Sequence, residues 1–141
     1  MKIFVKSTRI MNDDFAPFEL AVKLKEKGFD IPFYFFYRSD DKLIHHAMVG
    51  KPLVYCDEID DEVVCAPTIP QVLKWLREEK KIYIVIAVNP TLSTKDKIAY
   101  YYQVYSNSNG VTSDYYESEE CYAQWEDCAI DSIKYVLDNF I

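Results

Sequence analysis

Residues 68–105 read TIPQVLKWLREEKKIYIVIAVNPTLSTKDKIAYYYQVY, and this stretch decides the fold class. Thr68 and Gln71 have the spacing of a capping box, in which each side chain bonds the backbone amide of the other residue. Pro70 suits a first helical turn, whose amides have no partners within the helix. Apolar residues then recur at helical spacing: Ile69, Val72, Leu73 and Leu76, with Trp75 at the edge of the stripe. The pattern predicts an amphipathic helix over residues 68–80.

The next two segments of this stretch predict a pair of β-strands. Residues 82–88 form an uninterrupted apolar run, which is typical of an interior strand covered on both faces. Residues 97–105 alternate instead. One face carries Ile98, Tyr100, Tyr102 and Val104, and the other carries Ala99, Tyr101, Gln103 and Tyr105. Because the connection between the two segments is short, we expect an antiparallel hairpin.

The N-terminal part of the chain predicts a further helix and hairpin. A helix is expected over residues 15–27, where Gly28 takes a left-handed conformation and Phe29 folds back on the last turn. The aromatic run at residues 33–37 predicts a strand, and residues 43–48 are expected to return beside it after a polar turn.

The C-terminal part predicts a turn, a short strand and a long helix. Residues 106–110 end in Asn-Gly, which favours a turn between paired strands. Ser118 is expected to cap a helix over residues 118–140. Its predicted apolar stripe is Tyr122, Trp125, Ala129, Ile133, Val136 and Phe140. The overall order α-β-β-α-β-β-α predicts an α+β fold, an antiparallel sheet built from hairpins with helices packed on one face.

Length and composition indicate one ordered domain over residues 1–141 that buries its own core. Half of the residues are hydrophobic, and only 3 of the 141 are glycine, so disorder is not expected. No apolar run has the length of a signal peptide or a membrane span, so we predict a cytoplasmic protein with reduced cysteines and no membrane partner.

The charge is distributed unevenly along the chain. Residues 111–141 hold 8 of the 23 acidic residues but only Lys134 among the 16 basic ones, so the net charge of −7 arises there. A phosphate-binding surface needs the opposite sign, and nucleic acid is therefore not an expected partner.

Few residues suggest catalytic chemistry. His45 and His46 are the only histidines, and on a strand they would face opposite sides. One of them beside Cys56 or Cys65 would resemble a nucleophile pair, although no local signature supports it. The acidic run at residues 57–62 lacks the glycine and ligand spacing of a calcium loop. We predict no cofactor, metal site or catalytic residue.

Tyrosine is the most informative residue type, with 12 in the chain. Tyr83, Tyr101 and Tyr105 fall on one side of the predicted hairpin, where a large apolar ring with a polar tip suits an interface. We therefore predict a non-enzymatic protein that binds a protein partner or forms a homodimer through an aromatic sheet face. The alternatives are core packing of these rings, an acidic decoy or inhibitor of a nucleic-acid-binding partner, and a small enzyme using His45 or His46.

Residues 65–79, CAPTIPQVLKWLREE, carry a family resemblance, as do residues 24–30, LKEKGFD, the tyrosine-rich strand and the C-terminal helix. From about Leu20 onward the chain resembles an uncharacterised family of small proteins from gut bacteria and their phages. The resemblance implies a stand-alone protein associated with mobile elements. It implies no catalytic residues, because no activity is assigned to that family.

Overall fold

The structure, a computed structural model, describes residues 4–5, 14–31, 34–46, 63–108 and 111–141. They belong to two compact units: a smaller unit, Asp14–Gln71, and a larger unit, Met1–Asp13 with Val72–Ile141. Helices together with mainly antiparallel strands confirm the predicted α+β class. The expectation of one domain over residues 1–141 stays a prediction.

The secondary-structure elements follow the predicted order, with additional short strands. They are β1 (Phe4–Val5), α1 (Phe18–Glu26), β2 (Phe35–Arg38), β3 (Ile44–His46), β4 (Val63–Cys65), α2 (Ile69–Glu79), β5 (Ile82–Val88), β6 (Tyr100–Ser108), β7 (Val111–Glu117), β8 (Cys121–Tyr122) and α3 (Trp125–Asn139).

In the smaller unit, α1 ends as its sequence predicts. Gly28 has a φ of 85°, a left-handed conformation that glycine adopts without steric cost. Its amide donates to the carbonyl of Lys25 at 3.1 Å, and the amide of Phe29 donates to that of Leu24 at 2.9 Å. The Phe29 side chain is buried. These paired bonds form a Schellman motif, which satisfies carbonyls that the helix leaves open.

The small sheet has β2 at its centre, between β3 and β4, and both pairings are antiparallel. The β2–β3 hairpin was predicted, whereas β4 was not, because three residues are too few to show a period. Tyr37 is buried in this unit, and its hydroxyl donates to the carbonyl of Ala16 at 2.6 Å. Burial, and secondarily the charge of Glu19, raises the pKa of Tyr37 to about 12.

The capping box at the start of α2 is confirmed. The amide of Thr68 donates to Gln71 Oε1 at 2.8 Å, and the amide of Gln71 donates to Thr68 Oγ1 at 3.3 Å. The predicted stripe needs one adjustment, since Trp75 is buried and Leu73 is half-buried, so the tryptophan belongs to the stripe rather than to its edge.

The larger unit contains the five-stranded sheet. Its strands run in the order β1-β8-β6-β5, and β7 pairs with β6 beside residues 103–108. The predicted β5–β6 hairpin is confirmed, with antiparallel pairing from Ile82 opposite Ser106 to Val88 opposite Tyr100. None of the helices in the described residues has the length and apolarity needed to cross a membrane.

The prediction that β5 is an interior strand is wrong. Among the described strands it pairs with β6 alone, so it forms an edge of the sheet. Its side chains are not covered on both faces: Ile82 is buried, while Tyr83, Val85 and Val88 are 36, 43 and 48% exposed. An uninterrupted apolar run shows that a strand has no polar face, but it does not show whether other elements cover the strand.

The predicted start of the last helix is also wrong. Ser118 does not cap α3, because its buried hydroxyl accepts from the amide of Tyr102 at 3.1 Å and donates to the carbonyl of Glu120 at 3.1 Å. The chain then forms β8, and α3 begins at Trp125. Its buried residues are Cys128, Ala129, Ile130, Ser132, Ile133, Val136 and Leu137. The helical face is therefore rotated from the predicted stripe, leaving Trp125 36% exposed.

Two boundaries of β6 differ from expectation. Ile98 is 40% exposed and Ala99 is fully buried, because both precede the strand and do not follow its alternation. Residues 106–108, predicted as part of a turn, continue β6, and Ser108 pairs with Val111. The Asn-Gly pair at 109–110 and the acidic run at 57–62 lie outside the described residues.

Candidate binding surface

The three tyrosines singled out from the sequence lie on one face of the large sheet. Tyr83 pairs with Tyr105, and Tyr101 pairs with Ala87. Residues opposite each other in neighbouring strands share a face, and so do alternate residues of one strand. Pairing across β6 and β7 adds Tyr115 to this face. We call this surface the tyrosine face: Tyr83, Val85, Ala87, Tyr101, Gln103, Tyr105, Tyr115 and Glu117.

Exposure separates the tyrosine face from the face that packs on α3. Tyr115 is 54% exposed, while Tyr101 and Tyr105 are half-buried. On the α3 side, Tyr102 is 5% exposed and Val104 is fully buried. The tyrosine face therefore presents aromatic and aliphatic side chains to solvent.

The β7 side of the tyrosine face combines rings with hydrogen-bonding groups. The rings of Tyr105 and Tyr115 lie 5.1 Å apart between centroids. The Tyr115 hydroxyl accepts from Gln103 Nε2 at 3.2 Å and donates to Glu117 Oε1 at 3.3 Å. Local desolvation and the nearby Glu117 charge raise the pKa of Tyr115, against the bond from Gln103, which lowers it. These contacts orient a ring and a carboxylate that a partner can contact together.

The outer edge of β5 adjoins this face. The amide of Asn89 donates to the carbonyl of Ala99 at 2.7 Å, and the amide of Asn107 donates to the carbonyl of Lys81 at 2.9 Å. Odd-numbered residues of β5 therefore bond towards β6. By alternation, the backbone groups of the even-numbered residues point outward, and no described strand pairs with them. These residues are Ile82, Ile84, Ile86 and Val88.

Tyrosines on the opposite face form an internal cluster: Tyr102, Tyr116, Tyr122 and Tyr135. Tyr116 and Tyr135 stack with centroids 3.8 Å apart, and the ring of Tyr102 lies 6.3 Å from those of Tyr122 and Tyr135. The Tyr122 hydroxyl donates to Asp131 Oδ2 at 2.9 Å. Burial, and secondarily neighbouring charge, raises the pKa of Tyr102 and of Tyr122 above the ordinary value. Tyr102 and Tyr122 belong to the core, and Tyr116 and Tyr135 lie half-buried beside them.

The structure separates His45 from Cys65. His45 and Cys65 both pair with Phe36, on opposite sides of β2, so two strand spacings, about 10 Å, lie between their backbones. His45 Nε2 lies 3.0 Å from Asp41 Oδ2, and its ring stacks on Phe36 at 5.5 Å. His46 pairs with Phe35, and Cys56 lies outside the described residues. A proton transfer between His45 and the Cys65 thiol has no direct path.

No disulfide joins the cysteines of the described residues, Cys65, Cys121 and Cys128, all of which are buried. Burial, and then the nearby Asp131, raises the pKa of Cys128 to about 12. A thiol in such surroundings stays protonated and unreactive at neutral pH. Within the described part of the chain, no group of three or more histidine, cysteine or acidic side chains is placed to hold a metal ion.

A cavity of about 590 Å³ opens beside the end of α3, where Lys80, Asp114 and Phe140 contribute to its wall. Its charged groups have neighbours within the protein, since Lys80 lies 5.3 Å from the centre of the Trp75 ring and Asp114 accepts from Ser106 Oγ at 3.3 Å.

Sequence reasoning missed Tyr115 and the open edge of β5. If the Asn-Gly pair formed a two-residue turn and the strands paired regularly on both sides of it, Asp114 would lie opposite Tyr105. The observed partner is Tyr115, because the register shifts between Ser106 and Asn107. A β-bulge of this kind moves the following residues to the other face, and the sequence shows no signal for it.

No protein-family model, curated protein or solved structure matches this chain. The resemblance to small proteins of gut bacteria and their phages therefore stays a prediction.

Proposed function

We propose that this is a non-enzymatic cytoplasmic protein that acts by binding another protein, or a second copy of itself, through the tyrosine face. One observation carries the proposal: Tyr83, Val85 and Tyr115 are exposed on the same face, around half-buried Tyr101 and Tyr105. Contiguous exposed apolar side chains are typical of interaction sites, and tyrosine is enriched in them.

The chemistry of the remaining candidates favours binding over catalysis. His45 contacts Asp41 and Phe36 and lies two strands from Cys65. A nucleophile needs a base within hydrogen-bond reach, and these two residues do not meet that requirement.

The arrangement of acidic groups favours the tyrosine face over a decoy helix. On α3, Asp131 accepts a hydrogen bond from Tyr122, and Asp127 is half-buried with a buried Oδ2. Phosphate mimicry needs charges displayed to a basic partner, and these carboxylates are partly committed to the fold.

The test compares two tyrosine variants in affinity capture from the native cell and in light scattering. Tyr101→Ala should weaken the captured or self-associated complex about 30-fold or more, as expected for an anchor near the centre of an interface. Tyr34→Ala is the matched control, because Tyr34 is 53% exposed but lies in the smaller unit.

A urea melt of each variant checks that Tyr101→Ala remains folded at the working temperature. The proposal fails if the wild-type protein stays monomeric at high micromolar concentration and retains no partner. It also fails if Tyr34→Ala weakens the complex as much as Tyr101→Ala does.

A further inference from the structure

We propose that β5 pairs antiparallel with β5 of a second copy about a two-fold axis at Val85, so that the two large sheets become one. This inference rests on the proposed function and specifies its partner and geometry. It differs from a face-to-face dimer, because the contact is made by the strand edge and the tyrosine faces of both copies lie side by side.

The edge of β5 lacks the features that protect edge strands from pairing with another chain. Such strands are usually short, or carry a proline, a charge or a bulge that prevents pairing with another chain. β5 is seven residues long, with the sequence IYIVIAV, and pairs with β6 without a register shift. Its outward backbone groups form a continuous row, which another extended strand can satisfy.

The direction of the backbone groups of β5 limits the register that two copies can adopt. Outward groups belong to the even-numbered residues, so a second β5 must place its even-numbered residues opposite them. An axis at Val85 pairs Ile82 with Val88 of the second copy and Ile84 with Ile86. Every outward residue of β5 then meets another outward residue of β5. Moving the axis to Ile86 would place Ile82 opposite Pro90, which has no amide to donate.

The side chains of β5 also fit this register. With the axis at Val85, the two Val85 side chains face each other, and each is 43% exposed in the single chain. Tyr83 faces Ala87 of the second copy, so a large ring meets a small side chain. Ala87 is in turn paired with Tyr101 of its own chain, which brings Tyr83 of one copy towards Tyr101 of the other. The dimer thus places the predicted anchor beside the contact.

Charge favours the antiparallel arrangement of two copies. β5 has no charged side chain, and it is flanked by Lys80 and Lys81 on one side and by Asn89 and Pro90 on the other. The axis at Val85 places Lys81 opposite Asn89, so the lysines of the two copies lie at opposite ends. A parallel in-register pairing would place Lys81 of one copy opposite Lys81 of the other, which like-charge repulsion disfavours.

The first experiment measures the molar mass of three full-length proteins by light scattering over a concentration series. The wild type should be a dimer. Val85→Lys should raise the dimer dissociation constant on the order of 100-fold or more, because it places two lysines together at the axis. Tyr115→Lys distinguishes edge pairing from face-to-face contact, since Tyr115 is 54% exposed on the same face but belongs to β7. It should remain dimeric.

The second experiment is cross-linking by oxidation, with Cys56→Ser in each variant to remove a native thiol that lies outside the described residues. Val85→Cys should form a disulfide-linked dimer, because directly opposed residues of a non-hydrogen-bonded pair have Cα atoms about 4.5 Å apart. Tyr83→Cys should not, because its two copies would lie about 14 Å apart along the strands.

The outcomes separate this inference from the function on which it rests. A dimer that survives Val85→Lys and dissociates with Tyr115→Lys would indicate face-to-face contact; it would refute edge pairing and leave the proposed function standing. A monomeric wild type, or a Val85→Cys protein that does not cross-link, would also refute edge pairing. In that case the affinity-capture experiment tests the proposed function independently, because a partner that is lost from Tyr101→Ala would support binding through the tyrosine face.

Discussion

Tyr101 and Tyr102 are neighbours in β6, yet they have different environments. Tyr102 is 5% exposed among the rings of Tyr116, Tyr122 and Tyr135, on the face that packs on α3. Tyr101 is half-buried on the opposite face, which also carries the exposed Tyr115. The same residue type therefore serves the core on one face and an accessible surface on the other. The two faces differ because α3 packs on one of them. The residue types alone do not show which face of a strand a helix covers.

The strongest test of this comparison truncates one tyrosine on each face. Tyr102→Ala should lower the free energy of unfolding by about 3–5 kcal/mol, because it removes a buried ring and leaves a cavity under α3. Tyr115→Ala should lower it by less than about 1 kcal/mol, since most of that ring is already in water. Urea denaturation measures both values. Equal losses would mean that the two faces are not distinguished by burial.

A sharper test removes only a hydroxyl from each face. Tyr122→Phe should cost about 1.5–3 kcal/mol, because the hydroxyl of buried Tyr122 donates to the Asp131 carboxyl. Tyr115→Phe should change the free energy of unfolding by less than about 0.5 kcal/mol, because its bonds to Gln103 and Glu117 compete with water. Thermal and urea melts decide this. A larger cost for Tyr115→Phe would show that the exposed network stabilises the fold.

The third test uses pH. Tyrosine in an unfolded chain titrates near pH 10, whereas burial raises the pKa of folded Tyr102 and Tyr122. Above about pH 10 the unfolded chain has lost protons that the folded protein keeps, so stability is full below that pH and falls as the pH rises. Each buried tyrosine adds a slope of about 1.4 kcal/mol per pH unit.

Urea melts from about pH 9 to about pH 11 measure this slope, with tyrosinate absorbance reporting the protons released on unfolding. Tyr122→Phe should reduce the dependence of stability on pH by the contribution of one buried tyrosine, about 1.4 kcal/mol per pH unit. Tyr115→Phe, on the accessible face, should reduce it less. An unchanged slope in Tyr122→Phe would contradict the protected state of that hydroxyl. Tyr37 of the smaller unit, with its pKa raised to about 12, contributes in the same direction in all variants.

The sequence by itself determined the features that depend on residues close together in the chain. The capping box of Thr68 and Gln71 and the turn at Gly28 use partners within a few residues, so residue type and spacing are sufficient to predict them. The β5–β6 hairpin was predictable for another reason: one short connection joins its two strands, and strand alternation places Tyr83, Tyr101 and Tyr105 on one face. Those three residues of the candidate surface were therefore predictable.

Only the tertiary structure decided which groups distant parts of the chain bring together. Ser118 has a typical capping sequence, but its hydroxyl accepts a hydrogen bond from the amide of Tyr102, sixteen residues away. The strand β8 forms where the helix was expected. The shift between Ser106 and Asn107 sets which residue joins the tyrosine face. The position of β5 at an edge depends on which strands pair across the sheet. These outcomes are set by long-range packing and pairing, which compete with local preferences and leave no periodic signal in the sequence.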